Sequence, residues 1–167
     1  MRVLQRINVM TSAVLQILAT PFLLGSRLYV AWQFLTSGYL KVTSWNQTIG
    51  LFTTEYHTPL LSPIAAAVAG SFGELFFPTL LVLGLCTRIG ALGLFAVNAV
   101  AVISYRQVLL ADGFEAALGQ HILWGYMLIV LAVFGAGRIS LDWLFAARAD
   151  SRANQPTGSG ELRKQFA

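Results

Sequence analysis

From Pro21 to Lys41 the chain reads PFLLGSRLYVAWQFLTSGYLK, an apolar run broken internally by one charge, Arg27. About 20 apolar residues match the hydrocarbon thickness of a bilayer. A helix satisfies its own backbone there, which an isolated strand or loop does not. An ionised guanidinium in hydrocarbon costs at least a few kcal/mol, so Arg27 must face a partner or a water-filled cavity. Glu74 is the only carboxylate inside a later apolar segment, and is the natural partner.

Three further apolar runs follow, at residues 63–85, 89–105 and 120–136. Only 11% of the chain is charged and its mean hydropathy is +0.68, where soluble domains are about a quarter charged. Four spans with their connections use up the length, so the expected fold is all-α. It is a membrane protein built as a four-transmembrane-helix bundle over residues 20–145, with no separate soluble module.

Ahead of it, Arg2, Gln5, Arg6, Asn8, Ser12 and Gln16 share one side of a helical wheel, and Leu4, Ile7, Met10, Val14 and Leu18 the other. Residues 1–19 therefore read as an amphipathic interfacial helix. They carry positive charge but no small-residue cleavage site, and are expected to be retained. Thr20-Pro21 reads as a cap and first helical position that restarts the chain; the alternative is one long helix through Pro21. The 42–62 and 106–119 stretches read as loops, the first long and aromatic enough to fold back over the bundle mouth. Residues 138–145 look like a short surface segment. The polar stretch 146–167 reads as a disordered cytoplasmic tail.

Basic flanks set orientation. With the N-terminus inside, Arg2, Arg6, Arg88, Arg138, Arg148, Arg152, Arg163 and Lys164 are cytoplasmic, against Lys41 and Arg106 outside. Both termini are then expected in the cytoplasm. The net charge of +4 is accounted for by these flanks and gives no reason to expect nucleic acid. The lipid bilayer is the expected environment, and a homo-oligomer is open.

Arg27, Glu74 and Asn98 each place a strong polar group inside a span, at depths that read as similar. Such groups turn inward, because lipid cannot satisfy them. Either they form a neutralised cluster that fixes packing, or they floor a ligand or proton site, which would make Arg27 and Glu74 the candidate catalytic pair. Lys41 shares a face with Arg27, Phe34 and Gly38, Tyr105 with Asn98, and His121 with Trp124 and Gly125. Arg27, Lys41, Glu74, Asn98, Tyr105, His121 and Trp124 are thus the candidate ligand-binding residues of an outward-opening, aromatic-lined pocket. A flat ligand such as a quinone head fits such a lining. His57 and His121 are not at ligand spacing and the chain has one cysteine, Cys86, so neither a metal site nor a disulfide is expected. No nucleotide loop, catalytic triad or zinc motif appears, and no intrinsic cofactor is implied.

Three sequence blocks resemble a known family. They are Arg27 followed by Ser37-Gly38-Tyr39-Leu40-Lys41; Glu74 before the run Leu80 to Arg88; and Gly137-Arg138-Ile139-Ser140-Leu141-Asp142. Together they resemble the DoxX family of small four-helix bacterial membrane proteins, over about residues 20–145. The resemblance implies a multi-pass protein of the bacterial cytoplasmic (inner) membrane that serves redox systems. The founding member is a subunit of a thiosulfate:quinone oxidoreductase. Others accompany detoxifying enzymes, or peptide systems that make modified copper-binding products. His57, His121 and the long tail lie outside the family motifs.

Two functional readings follow. One is a membrane subunit or accessory of a quinone-linked oxidoreductase, not catalytic alone, with Glu74 as proton acceptor, Tyr105 and His121 on a carbonyl head, and Trp124 or Phe34 stacked on it. The other is a non-catalytic partner or export/assembly factor for a periplasmic enzyme or a modified metal-binding peptide.

Overall fold

A computed structural model describes residues 2–153, with side chains described for residues 4–151. Seven helices follow one another: α1 Arg2–Thr43, α2 Trp45–Thr54, α3 Pro63–Leu83, α4 Thr87–Ser104, α5 Arg106–Leu109, α6 Glu115–Phe134 and α7 Leu141–Ala153. Four of these, α1, α3, α4 and α6, are long and apolar enough to cross a membrane. α1 packs on α3, α3 on α4 and α4 on α6, with α6 returning to α1 to close a four-membered bundle. Successive spans alternate in direction, so α1 begins at the end of the bundle where α7 lies.

The first span differs from the expected two-part arrangement. α1 is one continuous helix of 42 residues with Pro21 inside it. Pro21 has no N–H to give to the Ile17 carbonyl, a loss that costs about 3 kcal/mol in an ordinary helix interior. Here the turns on both sides are strong helix formers, and Thr20 does not restart the chain. Residues 4–19 are exposed throughout, and burial begins at Leu23. The amphipathic pattern is present, but on a helix that runs on past the bundle rather than one that breaks to lie across it.

The other spans begin and end for local reasons. Ser62 caps α3, its Oγ accepting from the Ala65 amide at 3.3 Å, and Pro63 occupies the first helical turn, where a missing N–H costs nothing. Gly84 closes α3 in the left-handed region (φ 65°). A side chain there would be barred on two counts, since an added Cβ would lie 2.6 Å from the Ser140 Cβ and 2.7 Å from Arg27 Nη1.

The stretch read as a loop at 42–62 contains α2. Phe52 buries against Ala66 and Ala67 of α3, with Ile49 and Tyr56 alongside, and the Thr48 hydroxyl donates to the Lys41 carbonyl. The expected folding back over the mouth is present, because the His57 amide then donates to Ser104 O at the end of α4. α5 and the first turn of α6 occupy the second loop. At the far end α7 is helical through Ala153, so residues 146–153 are not a disordered tail. The rest of that tail, 154–167, lies outside the described residues.

The main core joins Leu23, Val30, Ala31 and Phe34 of α1 to Leu81, Ala91, Leu94, Leu128 and Leu131. Large apolar side chains such as Trp32, Phe72, Ile89, Ile122 and Val133 point outward, the pattern of a bundle whose surroundings are lipid.

Candidate functional site

The polar side chains of the spans form three separate groups rather than one cluster. The first surrounds Arg27, which is 2% exposed. Its Nη1 donates to Ala136 O and its Nη2 to Ile139 O, both at 2.9 Å. The expected pairing of Arg27 with Glu74 is therefore wrong. The guanidinium fork satisfies two carbonyls that the end of α6 and the turn after it leave without helical donors. Only its Nε is left without a partner.

The same corner is tied by Asp142. Its two oxygens accept from the Cys86 amide at 2.7 Å and the Thr87 amide at 2.9 Å. α4 has no side-chain cap of its own at Cys86, and the carboxylate reaching over from α7 supplies one at a helix end that favours negative charge. The Asp142 amide in turn donates to Gly84 O. Arg27, Gly84, Thr87, Ser140 and Asp142 are thus a structural knot at the end of the bundle that holds α7.

The second group is the ion pair that does form. Lys41 Nζ lies 2.7 Å from Glu74 Oε1 and 2.6 Å from Oε2, and also donates to Ser37 Oγ at 2.9 Å. The Lys41 and Glu74 side chains are 18% and 8% exposed. Gly38 makes the pair possible: an added Cβ would lie 3.0 Å from the Glu74 Cβ and 3.1 Å from its backbone carbon. α1 and α3 touch there, and Lys41, one turn further along α1, meets the carboxylate.

The third group joins α4 to α6. Asn98 Nδ2 donates to His121 O at 3.0 Å, and Asn98 Oδ1 faces His121 Nδ1 at 2.8 Å. Asn98 is therefore not the third member of an Arg27 cluster, as its depth in the span had implied.

A chamber of about 480 Å³ lies between the spans and under α2. Lys41, Glu74, Tyr105, His121 and Trp124 line it. Asn98 stands behind His121, outside the lining, and Arg27 does not reach the chamber at all. The apolar walls come from Phe34, Phe77 and Val97, and the mouth from Phe52, Tyr56 and Leu61. Trp124 meets His121 and Phe34 edge-on, with ring centroids 5.0 and 5.3 Å apart, and its indole N–H is buried without an acceptor.

Tyr56, part of the aromatic 42–62 stretch but not one of the expected binding residues, sits edge-on between Phe52 and Tyr105. Burial, then the neighbouring Tyr105 and the acidic residues, pushes its phenol above the ordinary value. Tyr105, at the mouth, donates to Glu55 Oε2 at 3.1 Å; burial and that bond raise its phenol as well. The aromatic spacing Phe52-x-x-x-Tyr56 was the signal that could have shown a helical element here.

Among the described residues no three of His, Cys, Asp and Glu gather as a metal site. Cys86 is free and exposed.

Comparison with known proteins gives one result at family level. The DoxX family model matches residues 22–107, which takes in α1 from Phe22, α2, α3 and α4, with the Lys41–Glu74 pair, and ends inside α5, short of α6 and α7. No curated protein and no solved structure matches the chain. The match spans just over half of the sequence, and with four membrane-length helices around it the chain belongs to the DoxX family and is a multi-pass membrane protein.

Proposed function

We propose that the protein is an integral membrane subunit or accessory of a redox system, and that its chamber holds a quinone-like or other flat small molecule. The observation that carries this reading is a closed ion pair, Lys41–Glu74, in the wall of a mostly apolar cavity of ligand size. Ligand sites of this kind are mostly apolar, with few convergent polar groups, and run from about 300 to 1,000 Å³. A pair serving packing alone has no need of a cavity beside it. Glu74 is the proton acceptor in this reading, and Lys41 takes the place that Arg27 was expected to hold.

The distribution of basic residues supports a chamber that opens away from the cytoplasm. Lys41 is neutralised by Glu74, which leaves Arg106 as the one basic flank on that side. In a bacterial inner membrane the mouth then faces the periplasm and both chain ends face the cytoplasm.

The test is thermal unfolding of the protein in nanodiscs with short-chain quinones, hydroquinones and naphthols. A ligand at 100 times its Kd stabilises the fold by about 2.7 kcal/mol, a shift of several degrees. Glu74→Gln should reduce the shift. If no compound moves the midpoint, or Glu74→Gln binds them all as the wild type does, the reading fails.

One observation favours a second role, as a non-catalytic partner for a periplasmic enzyme or peptide. Leu60 beside the mouth is fully exposed with φ 67°, a conformation costly for leucine. Replacing residues 58–61 by Gly and Ser should release a copurifying partner if that role holds, and leave small-molecule binding intact.

A further inference from the structure

We propose that His121 is a fixed hydrogen-bond acceptor in the chamber wall. The chamber then selects molecules that present a hydroxyl or N–H: the phenol or hydroquinone form of a ring system rather than its quinone. The inference rests on the reading of the chamber as a ligand site, and goes beyond it by naming the oxidation state and donor group that the site takes.

The argument starts from Asn98. Its amide has two ends that differ only in chemistry, and the structure decides between them. One end faces the His121 backbone carbonyl at 3.0 Å. Only the NH₂ group can satisfy a carbonyl, since the reversed amide would set two oxygens against each other. The Asn98 oxygen is therefore the end that faces His121 Nδ1 at 2.8 Å. An amide oxygen only accepts, so Nδ1 must carry the proton. In the neutral imidazole the proton is then absent from Nε2, which is left as a lone pair.

Nε2 is also free. Among the described residues no hydrogen bond reaches it, and it is not among the buried polar atoms that lack partners, so a ligand atom can reach it. His121 lines the chamber beside Trp124. The ring is held at one edge by Asn98 of α4 and packs nearly perpendicular to the Trp124 indole, which keeps the lone pair in place.

The ammonium of Lys41 is occupied by Glu74 and Ser37, so the wall offers no free cation to attract a carbonyl. A quinone oxygen only accepts and finds a second acceptor at His121. A phenol donates to it. Removing one such bond from a buried site changes affinity about tenfold. Asn98 is a positioning residue here: it touches no ligand and acts by fixing the imidazole tautomer.

The experiment compares three probes of one shape, 1-naphthol, 1-methoxynaphthalene and 1,4-naphthoquinone, by calorimetric titration into the protein in nanodiscs. Naphthol should bind about tenfold tighter than the other two. His121→Asn keeps a donor toward Asn98 and deletes Nε2, and should bring the three within threefold of one another. Nitrogen-15 NMR of ring-labelled histidine, read on wild-type protein, should show the His121 proton on Nδ1.

Equal binding of naphthol and its methyl ether by the wild type overturns the inference while leaving the chamber a ligand site. A preference for the quinone, or a proton found on Nε2 alone, does the same. Failure of all three probes to bind overturns the chamber reading itself. The NMR result stands apart from folding of the variant.

Discussion

Double-mutant cycles on Glu74 test the arrangement of charge in the bundle most directly. Lys41→Met leaves the Glu74 carboxylate, 8% exposed, without its cation. Breaking one side of a buried pair costs about 3–5 kcal/mol, and because Lys41 itself is 18% exposed the lower figure applies. The coupling is smaller than the single-variant cost. Two charge-assisted bonds at 2.6 and 2.7 Å would each contribute about 1.5–3 kcal/mol when fully dry. They share one ammonium and some water, which points to about 2 kcal/mol for the pair. Lys41→Met with Glu74→Gln should therefore cost about 2 kcal/mol less than the sum of the single changes.

The cycle of Arg27→Met with Glu74→Gln provides the contrast. Arg27 is 14 residues before Lys41 on an unbroken helix, about 21 Å along its axis. Sites that far apart with no shared partner add within about 0.5 kcal/mol. Arg27→Met alone should be severe, because Ala136 O and Ile139 O both lose their donors. Reversible unfolding in mixed detergent micelles reads all of these values. Coupling below about 0.5 kcal/mol for Lys41–Glu74, or above about 1 kcal/mol for Arg27–Glu74, would refute the assignment of partners.

Gly84→Ala should cost at least about 2 kcal/mol, since it combines a positive φ with contacts of 2.6–2.7 Å to Ser140 and Arg27; a thermal midpoint within a degree of the wild type would count against the knot. Gly38→Ala should separate α1 from α3 and weaken Lys41–Glu74, and a cycle with Glu74→Gln that shows no coupling would remove Gly38 from the site. Asp142→Ala should destabilise the start of α4 by about 1 kcal/mol or more, seen as faster amide hydrogen exchange at Cys86 and Thr87. The folded-state pKa values of Tyr56 and Tyr105 lie above the reference value of 10.0. Their contribution to stability is full below that value and is lost as pH rises through the folded values. The midpoint should thus fall above about pH 10, and less steeply in Tyr56→Phe with Tyr105→Phe.

The spans were legible because lipid imposes a length and an apolar composition that sequence displays directly. Their caps were legible in part: Ser62-Pro63 marks the start of α3 within a residue. α2 was not, because WNQTIGLFTT mixes polar and apolar residues as a loop does, and only Phe52 against Ala66 and Ala67 makes it a helix. The partner of Arg27 was hidden for a different reason. Backbone carbonyls leave no mark in sequence, and depth counted from Pro21 placed Arg27 too near Glu74. Gly38 carried the missing information, for a glycine three residues before Lys41 is where a second helix can approach its ammonium. His121 and Trp124 were found from their shared face, but the contact of Asn98 Oδ1 with His121 Nδ1, which fixes the ring, depends on how α4 and α6 are set against each other.

The continuity of α1 through Pro21 has a mechanical consequence. Its 42 residues form a rod about 63 Å long. One half carries Phe34, Ser37 and Lys41 along the chamber, and the other, residues 4–19, is exposed throughout. A rod converts tilt into displacement. A reorientation of about 10° around Phe34 would swing the end at Leu4, about 45 Å away, by roughly 8 Å, given the rise of 1.5 Å per residue. Pro21, where one backbone bond is missing, is where the rod yields first and sets how much of that swing arrives. A change of tilt at the chamber end of α1 would thereby move the N-terminal segment at its other end.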